Sequence, residues 1–417
     1  MKKIVLTIAL MQFIFCSHAQ LTLDQCQEKS KANYPLIKQY DLISKSTDYT
    51  ISNANKAYLP QVSVTGIGAY IISGLPSFSL PGTQPKESDN FKFIGIAQIN
   101  QVIWDGGATH TQKDIAKAKS EVDKANIDVS FYSIRERVNQ IYFGVLIIEE
   151  QLKQLAILKE NLERNLANIK LTHDNGLAYQ SDVDEVKSEL QSVEQKKIEF
   201  KYTRIGYVDM LSCLTGEQLN ENVTLEKPVT AESVSIFTMN RPELKLFSSQ
   251  IKLIDASSSL NKVLNMPKIG VLGVGALIEP GLSLGNTTLS SIALAGVSVS
   301  WNTSGIYKTA TNKKFEKIQS EMIINQQETF LFGNNLQLKQ VSSEIDKQKE
   351  ITAKDNEIVA LKNNIKRSYQ LKYDNGMCSM SDLINSINKE SEARCNMALH
   401  NIQLLMSIYN YKTISGN

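Results

Sequence analysis

Long apolar runs are missing from this chain once its first sixteen residues are passed. No later stretch approaches the ~18 continuous apolar residues that a membrane-crossing helix needs, so none is expected. Charge of one sign is missing too. Lys and Arg number 45 against 43 Asp and Glu, and Lys2 and Lys3 account for the difference. No net field therefore draws the chain to nucleic acid or anionic lipid. Cysteine is scarce. Beyond Cys16 there are only Cys26, Cys213, Cys378 and Cys395, with no CxxC spacing, which argues against a zinc site or a disulfide framework. Free buried thiols are the expectation, with a Cys26–Cys213 pair as a minor alternative. The four histidines (His18, His110, His173, His400) are scattered, with no HExxH, and His173 reads as a helix-dipole partner. No phosphate-cradling glycine loop occurs, so any energy for transport has to come from a partner. Neither a cofactor nor a catalytic set is expected.

What is present begins with "MKKIVLTIALMQFIFCSHAQ". Two lysines, an apolar run from Ile4 to Cys16, and Ser17-His18-Ala19 have the form of a signal peptide cleaved after Ala19. Phe15 is a poor residue to precede a lipidated cysteine, so lipidation of Cys16 is the lesser alternative. An exported chain without a membrane helix is periplasmic, secreted, or a membrane β-barrel.

The remainder is duplicated. "LPQVSVTGIGAYI" follows Pro35 by 25 residues at Pro60, and "MPKIGVLGVGALI" follows Pro242 by the same interval at Pro267. "FIGIAQINQVIWDGG" and "IALAGVSVSWNTSG" then carry the only two tryptophans, Trp104 and Trp301. The same order of features twice divides the chain into a leader (1–19), a first repeat (20–216), a linker (217–239) and a second repeat (240–417).

Each repeat changes period along its length. Thr22–Ala57 reads as helix with Asp24 as its N-cap, ended by Pro60. Gln61–Ile71, Phe91–Trp104, Lys268–Ile278 and Leu289–Trp301 alternate as strands, and Ser73–Asn90 reads as a loop. Strands of ten to twelve residues match a tilted membrane-spanning strand, and Tyr70, Trp104 and Trp301 at their ends suit the headgroup region. Four strands cannot close a barrel around a pore, so several chains would have to share one. From Gly107 to Asp174 the apolar residues Ile134, Val138, Ile141, Val145, Ile148, Leu152, Leu155, Leu162, Leu166 and Ile169 fall at heptad spacing, broken at Lys159. That is a helix of about 100 Å at 1.5 Å per residue. Val183 to Leu214 carries on the register, interrupted at Lys197 and Arg204. Tyr307–Tyr373 and Ser381–Tyr411 repeat the plan with a patchier seam.

Two turns join these helices: "LTHDNGLAYQSDV" (Leu171–Val183) and "LKYDNGMCSMSDL" (Leu371–Leu383). Asn and Gly tolerate the left-handed conformation that ends a helix. Ser181 and Ser381 read as caps of the returning helices, with Asp182 and Asp382 in their first turns. Each DNG is thus the tip of a helical hairpin.

This ordered set resembles the TolC family of outer-membrane efflux proteins. The tips look like its Tyr-x-x-Gly…(Ser/Thr)-Asp-(Val/Leu) signature, and "NYPLI" and "NRPEL" like its Asn-x-Pro helix openings. The resemblance covers essentially the whole chain after the leader. It implies a mainly α fold with a small β part. Three chains would share one 12-stranded outer-membrane β-barrel, and their helices would form a periplasmic tunnel closed at the tips. It implies a passive, non-enzymatic duct whose partners are two further copies of itself, a periplasmic adaptor, an inner-membrane pump and outer-membrane lipid. Cargo would be drugs, small toxic molecules, metals or secreted polypeptide. Asp382 matches an aspartate that rings the entrance, Asp182 its outer counterpart, and Gly176 and Gly376 the turn glycines. Two departures bear on the gate: Asn385 stands where a second acidic residue is frequent, and Cys378 where arginine is.

The sequence offers three other readings. "GLSLG" (Gly281–Gly285) has the spacing of a hydrolase nucleophile elbow but precedes a strand rather than a helix. "MCSM" gathers Met377, Cys378 and Met380 as soft ligands suited to Cu(I) or Ag(I), against simple packing at a helix turn. A soluble periplasmic coiled-coil scaffold is the rival class. Its strands would pack on one face only, whereas barrel strands need two distinct sides.

Overall fold

The computed structural model describes residues 21–70, 72, 91–229, 239–279 and 289–417. The leader with Cys16, the loop 73–90 and GLSLG lie outside these. Among the described residues, seven α-helices and four strands follow in order: α1 Leu23–Asn33, α2 Lys38–Asn55, β1 Gln61–Tyr70, β2 Phe91–Trp104, α3 Ala108–Asp174 and α4 Gln180–Thr215, then α5 Pro242–Val263, β3 Lys268–Glu279, β4 Ser290–Ser300, α6 Ile306–Asp374 and α7 Met380–Ser415. The second half repeats the first, except that Pro35 splits the first helix. Tyr34 is extended ahead of the proline and a 3₁₀ turn, Pro35–Ile37, follows it. The N-cap of α1 is Thr22, not Asp24. Thr22 accepts from the Gln25 N–H while the Gln25 side chain accepts from Thr22, and Asp24 sits in the first turn.

The chain forms two compact units. One holds residues up to Gln39 with Asn126–Leu244 and Glu328–Asn417; the other holds Tyr40–Ala125 with Lys245–Gln327. Both halves contribute to each, because each half carries one β-hairpin and one long helical hairpin.

In the first unit the heptad seam is buried as its spacing predicts. Val138 and Val145 are fully enclosed, with Ile134, Ile141 and Ile148 beside them. The polar interruptions are partnered. Lys159 pairs with Glu194 of α4, and Arg204 pairs with Glu149 of α3 at 2.7 Å while also donating to the Val223 carbonyl. One core joins the two helical hairpins near their tips. Leu162, Ile169, Val183, Val186 and Val193 of the first pack with Met380, Leu383, Ile384 and Ile387 of the second. Fully burying one such side chain is worth about 1.5–3 kcal/mol, so this cluster holds the hairpins side by side. Cys26 and Cys213 are unpaired, the first buried and the second exposed. Burial pushes the Cys26 thiol up to about 12.

The second unit carries one antiparallel sheet in the order β1-β2-β3-β4. The central pairing, β2 with β3, joins the two halves of the chain.

Candidate channel surfaces: the strand faces and the helical tips

Side chains alternate across a strand, so register alone sorts the sheet into two faces. Val62, Val64, Gly66, Gly68 and Tyr70 of β1 pair with Ile99, Ala97, Gly95, Phe93 and Phe91 of β2. The same face continues through Leu277, Gly275, Gly273, Val271 and Ile269 of β3 to Ala293, Ala295, Val297 and Val299 of β4. It is apolar apart from Gln101 and, at the far end, Glu279 and Ser291. The opposite face is mixed at the end where the helices attach, with Gln61, Ser63, Thr65, Gln98, Asn100, Lys268, Ser298 and Ser300 interleaved with Val102, Leu272, Val274 and Leu294. Farther on it turns apolar, with Ile67, Ile94, Ile278 and Ile292. Val64 is 78% exposed and Val297 77%, so among the described residues no element covers the apolar face there. Among the described residues β1 pairs only with β2, and β4 only with β3, so both outer edges are open.

A bulge between Val102 and Trp104 shifts the β2–β3 register and sets Trp104 opposite Ile269, on the apolar face. Tyr70 closes that face at the far end. Trp301 follows β4 directly and is anchored by its indole N–H, which donates to the Asn265 carbonyl at 3.0 Å. Tyr70, Trp104 and Trp301 are all exposed.

Where β2 meets α3, Asp105 is buried and caps the helix. One carboxylate oxygen accepts from the Gly107 N–H and the Tyr58 hydroxyl, both at 2.9 Å, and the other from the Thr109 N–H at 2.6 Å. Burial pushes this carboxyl up, but the hydrogen bonds from Thr109, Tyr58 and Gly107 outweigh it and hold it at about 2. Asn302 takes the matching place before α6, accepting from Ser304.

The two tips are built with the same bonds. Gly176 and Gly376 have φ of 74° and 70°, and no other residue type among those described has positive φ. Gly176 N–H donates to His173 O and Leu177 N–H to Thr172 O; Gly376 N–H donates to Tyr373 O and Met377 N–H to Lys372 O. These are Schellman closures. The asparagines follow the last helical residue, do not take up positive φ, and act through their side chains. Asn175 and Asn375 each donate from Nδ2 to the carbonyl four residues back, Leu171 or Leu371, at 2.7 Å.

The cap of α7 is Ser379, two residues before the expected Ser381. Its Oγ accepts from the Asp382 N–H at 3.1 Å, and its own N–H donates to Asp382 Oδ2 at 3.1 Å. The spacing S-x-x-D, read from Ser379 rather than from the Ser-Asp pair, was the signal for it. The first tip keeps half of this: Tyr179 replaces the serine, and its N–H donates to Asp182 Oδ2 at 3.1 Å. Ser181 is likewise not the cap. Hydrogen bonds from the Ser379 side chain and backbone hold the Asp382 carboxyl below its usual range. Asp382 and Asn385 are exposed and Asp182 is half-buried.

Between the tips lies a cleft of about 610 Å³, lined among others by Tyr179, Asp182, Tyr373, Asp374 and Cys378, and by no cationic side chain. Burial and then the Asp182 charge push the Tyr373 phenol up. The MCSM sulfurs are spread apart in environment. Met377 is 74% exposed, Met380 is 2% exposed in the core, and the Cys378 thiol faces the Tyr369 carbonyl at 3.6 Å. Among the described residues no three His, Cys, Asp or Glu side chains group as metal ligands. Farther along the α6–α7 hairpin, His400 meets buried Asp355 at 2.8 Å, a pair that no local spacing announced.

Residues 27–217 match the family model described as outer membrane efflux protein. The first repeat of the chain thus carries the outer membrane efflux protein signature. Its fold is similar to that of VceC from Vibrio cholerae, with a TM-score of 0.66 and 12% identity over 95% of this chain and 96% of that one. It is similar too to the open state of MtrE from Neisseria gonorrhoeae, with a TM-score of 0.64 and 14% identity over 94% and 89%. The outer-membrane channel OprN gives 0.68 and 14% over 94% and 89%. No curated protein sequence matches the chain closely enough to count. The family match and these folds support an outer-membrane efflux channel-tunnel that extends into the periplasm, and the soluble scaffold is not favoured. The mainly helical fold with one four-stranded sheet is the one expected.

Proposed function

We propose that three copies of this chain close one twelve-stranded barrel, edge β4 of one copy pairing with edge β1 of the next. The observation that carries this is the sheet itself: one continuous apolar face on four strands with both edges open. Four strands cannot close, and an open apolar sheet edge in lipid leaves backbone groups unsatisfied. The face holding Val64 and Val297 then meets lipid. Tyr70 marks one headgroup level and Trp104 with Trp301 the other. The helical hairpins form the periplasmic tunnel, and the tips are its gate.

At the tip, the cap occupies only Oδ2 of Asp382, so capping and gating do not compete for the same oxygen. Three Asp382 carboxylates around a narrow opening repel one another and attract cations. Asp182 supports them from the outer hairpin, while Asn385 adds no charge. The chain itself does no chemistry. A periplasmic adaptor and an inner-membrane pump supply the drive and select the cargo. Planar-bilayer conductance of the detergent-purified protein, with its oligomer mass taken on the same sample, tests the reading. Discrete cation-selective steps from a trimer are expected; a soluble, non-conducting monomer would overturn it.

A further inference from the structure

The face of the sheet turned away from lipid changes character along its length. Cross-strand partners share a face, and so do residues two apart along one strand, so this face can be read level by level. Two levels near the helices include an amide from β2. Asn100 stands level with Gln61 and Leu272, and Gln98 with Ser63 and Val274. Farther along, β2 offers isoleucine instead. Ile96 stands level with Ala276, which pairs with Ile292, and Ile94 stands level with Ile67 and Ile278. Only the outer strands keep a hydroxyl there, at Thr65 and Ser290. Neither level holds a charged residue; the next along the ladder is Lys92, one level beyond.

Five isoleucines thus form one belt, three from the first half and two from the second, joined by the β2–β3 pairing. Ile67 is 53% exposed, and Ile94 and Ile292 are exposed as well. Single exposed apolar side chains are ordinary, but a contiguous set marks a contact surface. Lipid does not account for it. Strands of a membrane barrel are apolar outside and polar inside, and the outward requirement is already met by the face of Val64 and Val297.

We propose that this belt receives the apolar part of an amphiphilic small molecule on its way out of the barrel. The pore-facing position of the belt rests on the shared barrel proposed above. Pore-lining chemistry sets what passes and how long it stays. Two levels span about 7 Å along a strand, the reach of a short alkyl chain or one aromatic ring rather than of an extended polypeptide. Gln98, one level nearer the helices on the same face, offers an amide to the polar end of such a molecule.

Single-channel block of the purified protein by tetraalkylammonium ions reads the belt. Tetramethylammonium and tetrabutylammonium carry the same charge, so every charge in the pore acts on both, and they differ in size and apolar surface. Tetrabutylammonium should block the wild type about tenfold more tightly or better. Threonine keeps the β-branch that suits a strand and loses the apolar end. Ile94→Thr combined with Ile278→Thr should bring the ratio to about twofold, and Ile67→Thr, on the outer strand, should lower it severalfold. A ratio near unity in the wild type needs no variant to read, and it overturns the belt while the duct stands. A high ratio that survives both sets of substitutions comes from ion size alone and does the same. A preparation that passes no current overturns the duct and the belt together.

Discussion

Asn33 caps the end of a helix whose bonded carbonyls lie 180 and 181 residues later. Its Nδ2 donates to the Cys213 and Leu214 carbonyls, both at 3.2 Å, where α4 terminates at Gly216. Asn240, in the matching Asn-x-Pro of the second half, meets the end of α7 at Gly416 through its backbone N–H, which donates to Ser415 O at 3.0 Å. The same motif thus closes the returning helix of its own half twice, once by side chain and once by main chain. Asn33→Ala should cost about 1–2 kcal/mol, two carbonyls losing their donor, whereas Asn240→Ala should be nearly neutral. Thermal unfolding of the two variants side by side checks this, and equal losses would contradict it.

The tip glycines make a purely conformational prediction. Gly376 has φ of +70° with nothing within 4 Å of where a Cβ would sit, so substitution meets strain but no clash. Gly376→Val should destabilise the tip by about 1–2 kcal/mol or more, with Gly376→Ala milder. Gly176→Val should behave alike. Protease cleavage at the tip, followed over time, reads the effect; a fully protected Gly376→Val protein would rule out the assigned turn.

Ser379 and Asp382 allow charge and cap to be separated. Ser379→Ala removes the cap at a cost of about 1 kcal/mol but keeps the carboxylate. Asp382→Asn removes the charge and retains an acceptor oxygen. If Asp382 gates by charge, single-channel cation block should weaken in Asp382→Asn and persist in Ser379→Ala. The reverse pattern would make the residue structural only.

Asp105 predicts a pH window. Its folded value of about 2 lies below the usual 3.8, so its contribution is complete above about pH 4 and fades as pH falls towards 2. Asp105→Ala should lower stability by about 1–2 kcal/mol at pH 7, and the gap to the wild type should close on acidification to pH 2. A gap that stays constant with pH would remove the ionised cap.

The two strand faces can be told apart with one charge. Val64→Arg places a cation on the lipid face at a cost of about 2–4 kcal/mol near the bilayer midplane. Ser63→Arg, one residue away, points to the opposite face and should assemble. Trimer yield in the outer-membrane fraction is the readout, and equal yields would refute the face assignment.

The sequence by itself determined whatever rests on local chemistry and period. The strand bounds agree to within one residue, the heptad seam is buried at its central positions, and both glycines turn left-handed where Asn-Gly follows a long helix. The duplication was legible for the same reason, since it repeats those local signals in order. Tertiary structure decided what depends on residues far apart in the chain. The β2–β3 pairing joins the halves, and a bulge beside Trp104 moves that indole to the apolar face; period alone puts it on the other side. Lys159 and Arg204, which read as breaks in the seam, find Glu194 and Glu149 on the facing helix. Met380 leaves the soft-ligand cluster for the core because the second hairpin packs there. Pairing, burial and charge compensation are relations between segments, and a one-dimensional pattern holds only one side of each.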